Sequence, residues 1–310
     1  MSPILPSERA ELMQAARAVK GRSLWKDAQR RLFRNKAAVV SMAILAVLTV
    51  LAILAPLLSP YSYQVIDYAL VSCAPPWWGG DPLCRATGAH WFGMDSVGRD
   101  LFIRTLYGAR VSLAVGLVAT TVSLLIGVLY GATAGFIGGR VDAAMMRFVD
   151  ILYSLPFIFF VIILMVIFNR NFILMFVAIG AVEWLTMARI VRGQTLSIKQ
   201  KEFIEAARAG GVGTFGIITC HVIPNVVGPV IVYVTLTIPA VILAESFLSF
   251  LGLGIQEPLT SWGVLISEGA NTLETAPWML LFPATFMAVT LFCFNFIGDG
   301  LRDALDPKER

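Results

Sequence analysis

The chain has 310 residues, of which 57% are hydrophobic and only 14% charged, and its mean hydropathy is +0.77. Water-soluble domains carry roughly 25% charged residues, so this composition excludes an ordinary globular protein and indicates a polytopic membrane protein. The net charge of +4 is modest and bears on membrane orientation; no nucleic-acid partner is expected.

The chain opens with a basic tail, residues 1–36, holding nine of its 24 Lys and Arg residues. It does not read as a cleavable signal, because the charged region is long and the apolar run that follows exceeds a signal's 7–15 residues. Within it, SLWKDAQRRLFRNK sets Leu24, Trp25, Ala28 and Leu32 on one helical face and Lys26, Arg30, Arg34 and Lys36 elsewhere. Two readings stay open: a helix lying in the membrane interface with its Trp at headgroup level, or a basic flank that orients the first span.

Crossing about 30 Å of hydrocarbon takes around 20 helical residues. Six stretches qualify: Ala37–Leu58, Val111–Gly135, Ala143–Phe168, Phe172–Ile190, Val226–Phe250 and Trp278–Ile297. Backbone polar groups must be satisfied internally in lipid, so the expected fold is all-α with six transmembrane helices. With the tail in the cytoplasm, nineteen of the 24 basic residues lie inside, counting those at 137–147, 189–208 and the C-terminus. Both termini are therefore expected in the cytoplasm. The boundaries read as a tail (1–36), a first helix (37–58), an extracytoplasmic loop (59–110), a core (111–298) containing a cytoplasmic loop (191–225), and a final tail (299–310).

Inside the spans, Gly127, Gly131 and Gly135 form a small-residue ridge. It permits close helix approach, either to a second chain beside a translocation path or within this one. Pro156, Pro229, Pro239 and Pro283 each demand a kink or break. Arg147 and Asp150 are spaced to pair. Glu183 lies deep in the fourth span, where a proton-coupled carrier would use a carboxylate as relay. Glu245, near the outer part of the fifth, is a candidate gate or path residue.

The 59–110 loop holds Cys73 and Cys84, eleven positions apart across a Pro/Gly-rich turn in a compartment that permits disulfides. They are a candidate pair. Cys220 and Cys293 read as packing residues. In the same loop Asp95, Arg99 and Asp100 are placed to cap a short interfacial helix before the second span. Near the C-terminus, Asp299, Arg302, Asp303 and Asp306 suit a salt-bridge network or a second cytoplasmic contact.

The stretch EFIEAARAGGVGTFGIITCHVIP, residues 202–224, leaves the apolar phase without ending in a simple turn. SIKQKEFIEAARA predicts a helix from a Ser197 cap, stopped by Gly210 and Gly211. A second short helix is predicted from Phe215 to Val222, after which Pro224 pushes Ile223 out of the helical region. Small Ala206 and Ala207 would admit a partner closely, with Lys201, Glu205 and Arg208 setting its register. No P-loop, nucleophile elbow, H-E-x-x-H or C-x-x-C pattern occurs, and the two histidines, His90 and His221, belong to different segments. Neither catalysis, a metal nor a cofactor is expected on this chain; energy would come from another.

Glu205-Ala206-Ala207, then Gly211 and His-Val-Ile-Pro at 221–224, resemble the E-A-A loop of ABC-importer permeases, with His221 and Ile223 departing from the usual Ile and Leu. GMDSVGRDLFIRTLYGARVSL (93–113), LSFLGLGIQEPLTSWG (248–263) and FNFIGDGLRDALDPK (294–308) are similar to signatures of the peptide and nickel subfamily, nearest its oligopeptide C subunits. The resemblance runs from about Gly21 to Arg310. It implies the type I importer permease fold and an inner-membrane location. Implied partners are a second homologous permease, two ATPase subunits carrying ATP and Mg, an extracytoplasmic peptide-binding protein, peptide substrate and membrane lipid. On that pattern Lys201, Glu205, Ala206, Ala207, Arg208, Gly211 and Pro224 couple the chain to an ATPase. Dipeptide or nickel import, an ion-coupled carrier and a non-transporting scaffold are the alternatives.

Overall fold

The computed structural model describes residues 24–79, Cys84, 90–168 and 172–305. The tail before Leu24, with Arg85, Arg170 and Asp306, lies outside the described residues. Among those described the chain is helical, its one β-bridge being Met94 with Asp100. Among the described residues, four helices are long and apolar enough to cross a membrane: Lys36–Leu58, Leu101–Ile137, Thr214–Phe250 and Trp278–Leu305.

Helix α1 (Leu24–Arg34) carries Asp27 in its first turn and Arg31 and Arg34 in its last, each sign complementing the helix dipole. Asn35 separates it from α2 (Lys36–Leu58) and caps that helix, its side chain accepting from the Ala38 amide at 3.2 Å. Ala28 is buried and Trp25 exposed. Pro56 lies inside α2 and has no N–H for the Ala52 carbonyl four residues back. Arg110 fills that gap: it donates to the Ala52 carbonyl and, at 2.6 Å, to that of Ile53.

Helix α3 (Leu101–Ile137) begins ten residues before the predicted Val111, because Asp100 caps it by accepting from the Ile103 amide at 2.8 Å. The predicted third span is two helices, α4 (Gly139–Ser154) and α5 (Phe157–Phe168). Leu155, extended at φ −78° and ψ 129°, precedes Pro156, and the ring of Pro156 disfavours the helical conformation there. Helix α6 (Phe172–Ile198) runs eight residues past the predicted Ile190. Asp150 of α4 pairs with Arg189 of α6 at 2.8 Å, not with Arg147 as its spacing suggested. Arg192 grips Asp142 through two bonds of 2.5 and 2.6 Å. Interhelical geometry, invisible in local spacing, chose these partners.

The glycine ridge of α3 packs inside this chain, against α6. A Cβ on Gly127 would lie 2.5 Å from Met187 Cγ, and one on Gly131 only 2.3 Å from the Ala188 carbonyl oxygen. Gly193 on α6 has open space around it. Gly131→Ala is therefore expected to destabilise by about 1–3 kcal/mol through overpacking. Gly193→Ala should leave stability equal or raise it by up to about 1 kcal/mol through helix propensity. Thermal unfolding of the two variants in detergent checks the contrast.

After α7 (Glu202–Ala209) and α8 (Thr214–Ile217), a π turn at Ile218–Val222 leads without interruption into α9 (Ile223–Phe250). A short helix, α10 (Trp262–Asn271), lies between the fifth and sixth predicted spans. Helix α11 (Trp278–Leu305) carries the last span seven residues into the predicted tail, taking Asp299, Arg302 and Asp303 with it. The N-terminus of α2 meets the C-terminal part of α11, where a Cβ on Gly300 would lie 2.7 Å from that of Ala38. Both therefore sit at the end of the bundle that carries α7.

Candidate coupling elbow and the network at the opposite end

The elbow is a rigid insert. Helix α6 continues to Ile198, so Ser197 is helical and not a cap; α7 starts after Lys201, whose side chain makes no capping bond. Beyond Ala209 the chain closes a Schellman turn: the Val212 amide donates to the Ala207 carbonyl at 3.1 Å and the Gly211 amide to that of Arg208 at 3.0 Å. Gly211 takes φ +79°, the left-handed conformation that this turn requires and glycine adopts without penalty. Ile204, Ile217, Ile218 and Val222 are buried against Phe136, Met187, Val191 and Val226, so the apolar side of the insert is fused to α3, α6 and α9.

Pro224 does not end a helix. Ile223 is helical at φ −55° and ψ −47°, and its amide donates to Ile218, five residues back. The π turn widens the helix where the proline ring would press on the preceding turn. Asn225 Nδ2 donates to the His221 carbonyl at 2.7 Å. Local rules treat X-Pro as a helix boundary; here the wider turn accommodates it.

Seven residues read as the coupling set divide by position. Glu205 and Ala206 are exposed, and Glu205 has no ion-pair partner among the described residues; Ala207 is half-buried beneath them. Lys201 is exposed at the start of α7. Arg208 lies with its guanidinium 5.1 Å from the ring centre of Phe136, which Lys199 also covers at 5.7 Å. Its charge is thus engaged within the chain. Gly211 and Pro224 shape backbone. Sequence reasoning missed Phe215, 78% exposed, on an insert whose Ile204, Ile217, Ile218 and Val222 pack inward. That ring, like Glu205 and Ala206, is open on the elbow's surface, and its signal was an aromatic placed directly after Gly-Val-Gly-Thr.

At the other end, Asp95 is fully buried between Arg99, 2.7 Å away, and Arg104. Burial alone would raise its pKa. The Arg104 charge and the hydrogen bonds from Arg99 outweigh that and hold the carboxyl below its usual range. Arg99 reaches Glu257 at 2.5 Å, and Arg104 reaches Glu268 of α10 at 2.9 Å. Asp100 also binds His90 Nδ1 at 2.6 Å. Among the described residues Asp95, Arg99 and Asp100 cap no separate short helix: Asp100 caps α3 itself, and these charges brace α3, α10 and the connecting loops. Trp262 donates to the Thr105 carbonyl at 3.1 Å and Trp278 to that of Met94 at 3.2 Å. Cys73 and Cys84 are joined by a disulfide in this same region, with Cα atoms 5.4 Å apart.

Glu245 does not line an open surface. It is fully buried, and one carboxylate oxygen accepts from Ser249 and Ser261, each at 2.7 Å. Since Ser261 also caps α10, Glu245 pins that helix to α9. Cys293 is buried, whereas Cys220 is exposed and so is not a packing residue. Glu183 borders a cavity of about 400 Å³ between the α4–α5 break, α6 and α9.

A family model described as the inner-membrane component of binding-protein-dependent transport systems matches residues 102–310. A second, for the N-terminal transmembrane domain of oligopeptide transport permease C, matches 23–76. The chain is 57% identical to the oligopeptide transport system permease protein OppC of Escherichia coli K12 over 304 residues, 98% of each chain. It is 44% identical to the OppC of Bacillus subtilis 168, over 94% of this chain and 92% of that one. The dipeptide transport system permease protein DppC of Bacillus subtilis is 47% identical over 93% of this chain and 87% of its own. Together with its apolar helices and its elbow, these matches establish that the chain belongs to the inner-membrane permease components of ABC-type, binding-protein-dependent transport systems.

Proposed function

We propose that this chain is one of two homologous transmembrane subunits of an ATP-driven oligopeptide importer, with the elbow in the cytoplasm and the Asp95 network outside. Two ATPase subunits, carrying ATP and Mg, dock beneath the pair; a peptide-binding protein delivers cargo from the other side. The observation that carries this reading is the elbow itself. Its inner side is locked into the bundle through Ile204 and Ile217, while Glu205, Ala206 and Phe215 face outward. A force applied there reaches α3, α6 and α9 directly. Coupling follows when the elbow makes different contacts in the two states of the motor. The membrane-spanning count of six and the orientation belong to the same reading. The similarity to a dipeptide permease supports shorter peptides as the second reading of the cargo.

Glu205→Lys reverses the charge at the centre of the exposed face without touching the core. A C-terminally tagged chain, gently solubilised from its native cell, is expected to bring two ATPases and a second permease with it. Glu205→Lys should cut ATPase recovery at least about tenfold, the equivalent of one lost charge-assisted contact. A chain that purifies alone and moves substrate without ATP would instead establish an ion-coupled carrier.

A further inference from the structure

Glu183 stands eleven residues beyond Phe172 in a helix of 27, about 16 Å along its axis at 1.5 Å per residue. A carboxylate at that depth is costly in lipid and is expected to face water or a cation. Among the described residues no cation serves it: Glu183 has no hydrogen bond or ion pair there, and its neighbours Arg189 and Arg192 are held by Asp150 and Asp142. Arg189 also lies over the Tyr153 ring at 4.3 Å.

The surroundings select positive charge. Glu183 and Thr186 of α6 line the 400 Å³ cavity with Leu152 and Tyr153, the last turn of α4, and with Pro156 and Ala244. Helix α4 ends at Ser154 because of Pro156, so its terminal carbonyls, the negative end of its dipole, lie at the cavity wall. Broken helices at mid-membrane depth are how transporters present backbone charge to cargo. Tyr233 of α9 is within electrostatic reach of Glu183. The rest of the lining is apolar, so an ionic contact there is weakly screened.

We infer that Glu183 and the carboxyl end of α4 form a transient site for the α-ammonium group of a peptide in transit. The inference rests on the reading of the chain as a peptide importer and adds where, and by which end, the cargo is held. An α-ammonium is the one cation that every linear peptide carries whatever its side chains. A site for it guides many sequences without selecting among them, and an open cavity with a single carboxylate binds loosely enough to let them go.

The test uses the full complex with its binding protein in proteoliposomes, and tri-alanine as probe. ATP-driven uptake by Glu183→Gln is expected to fall about tenfold, the loss of one charge-assisted contact, and Glu183→Asp to stay within about threefold of wild type. In a second measurement, a hydrophobic carbodiimide labels Glu183, and mass spectrometry follows the rate; tri-alanine is expected to slow labelling at least fivefold and N-acetyl-tri-alanine not to. Wild-type uptake by Glu183→Gln overturns the site, as does labelling that neither peptide slows or both slow equally. Loss of the second permease from the Glu183→Gln complex, with Glu183→Asp intact, would mean that the partner cation belongs to that subunit, and would also overturn it. No ATP-driven uptake by the wild-type complex would remove the importer reading and this site together.

Discussion

Gly211→Pro is expected to abolish ATP-driven uptake, by tenfold at the least, while leaving the bundle folded. Proline is confined to φ near −65°, whereas Gly211 sits at +79°. The substitution also deletes the amide that donates to the Arg208 carbonyl at 3.0 Å. The Schellman turn cannot then close, and the Val212 bond to Ala207 goes with it. A backbone conformation forced on a residue that cannot adopt it costs more than the about 1 kcal/mol by which a compatible proline stabilises. The damage stays local, because Gly211 is exposed and a side chain there would meet no atom within 4 Å. Thermal unfolding within a few degrees of wild type, together with lost uptake, is the expected pair of results. Normal uptake would mean that the outward geometry of Glu205 and Phe215 does not transmit the motor's movement. Because Gly211→Ala keeps the amide and only strains φ, it should fall between the two.

Asp95→Ala is expected to produce the largest loss of stability. It removes the only fully buried carboxylate in the Arg99–Arg104 network and leaves two guanidiniums short of a partner. Breaking a buried pair from one side costs about 3–5 kcal/mol. Arg104 retains Glu268, and Arg99 retains Glu257, which places the expected loss toward the lower end of that range. The sign of the pH response follows from the depressed pKa of Asp95. A carboxyl whose folded pKa lies below its unfolded value of about 3.9 adds stability above that value, and loses it as pH falls through the folded pKa. Unfolding temperature should therefore drop in acid for the wild type, with a smaller acid-dependent change in Asp95→Ala. Equal acid sensitivity in both would show that other carboxyls dominate. The residue lies far from the elbow, so the defect should appear as lost protein rather than uncoupled ATPase.

The boundaries of the helices were legible where local chemistry sets them. The apolar run of α2, the break at Pro156 and the glycine stop after α7 each depend on a few adjacent residues. What misled was context. Pro224 reads as a stop, yet a π turn absorbs it because buried Ile218 and Val222 hold the backbone in a continuous helix. Arg147 is spaced to reach Asp150, but α6 brings Arg189 nearer. Helix α10 was hidden because its start depends on Ser261 being held by Glu245, sixteen residues earlier on another helix.

By itself, the amino-acid order determined that this is an all-helical membrane protein, that Pro156 demands a kink or break in the third span, and that residues 202–224 leave the apolar phase as an elbow. Those properties follow from hydropathy, backbone stereochemistry and helix capping, all of which act over one or two turns. Tertiary structure alone decided which face of the elbow is buried, that the glycine ridge meets α6 of the same chain, and that Arg208 folds onto Phe136. It also decided that one oxygen of Glu245 takes two serine hydroxyls in the interior while Glu183, beside a cavity, has no partner among the described residues. Two carboxylates in apolar helices look alike in sequence; what separates them is the set of hydroxyls and cations that distant segments bring within 3 Å.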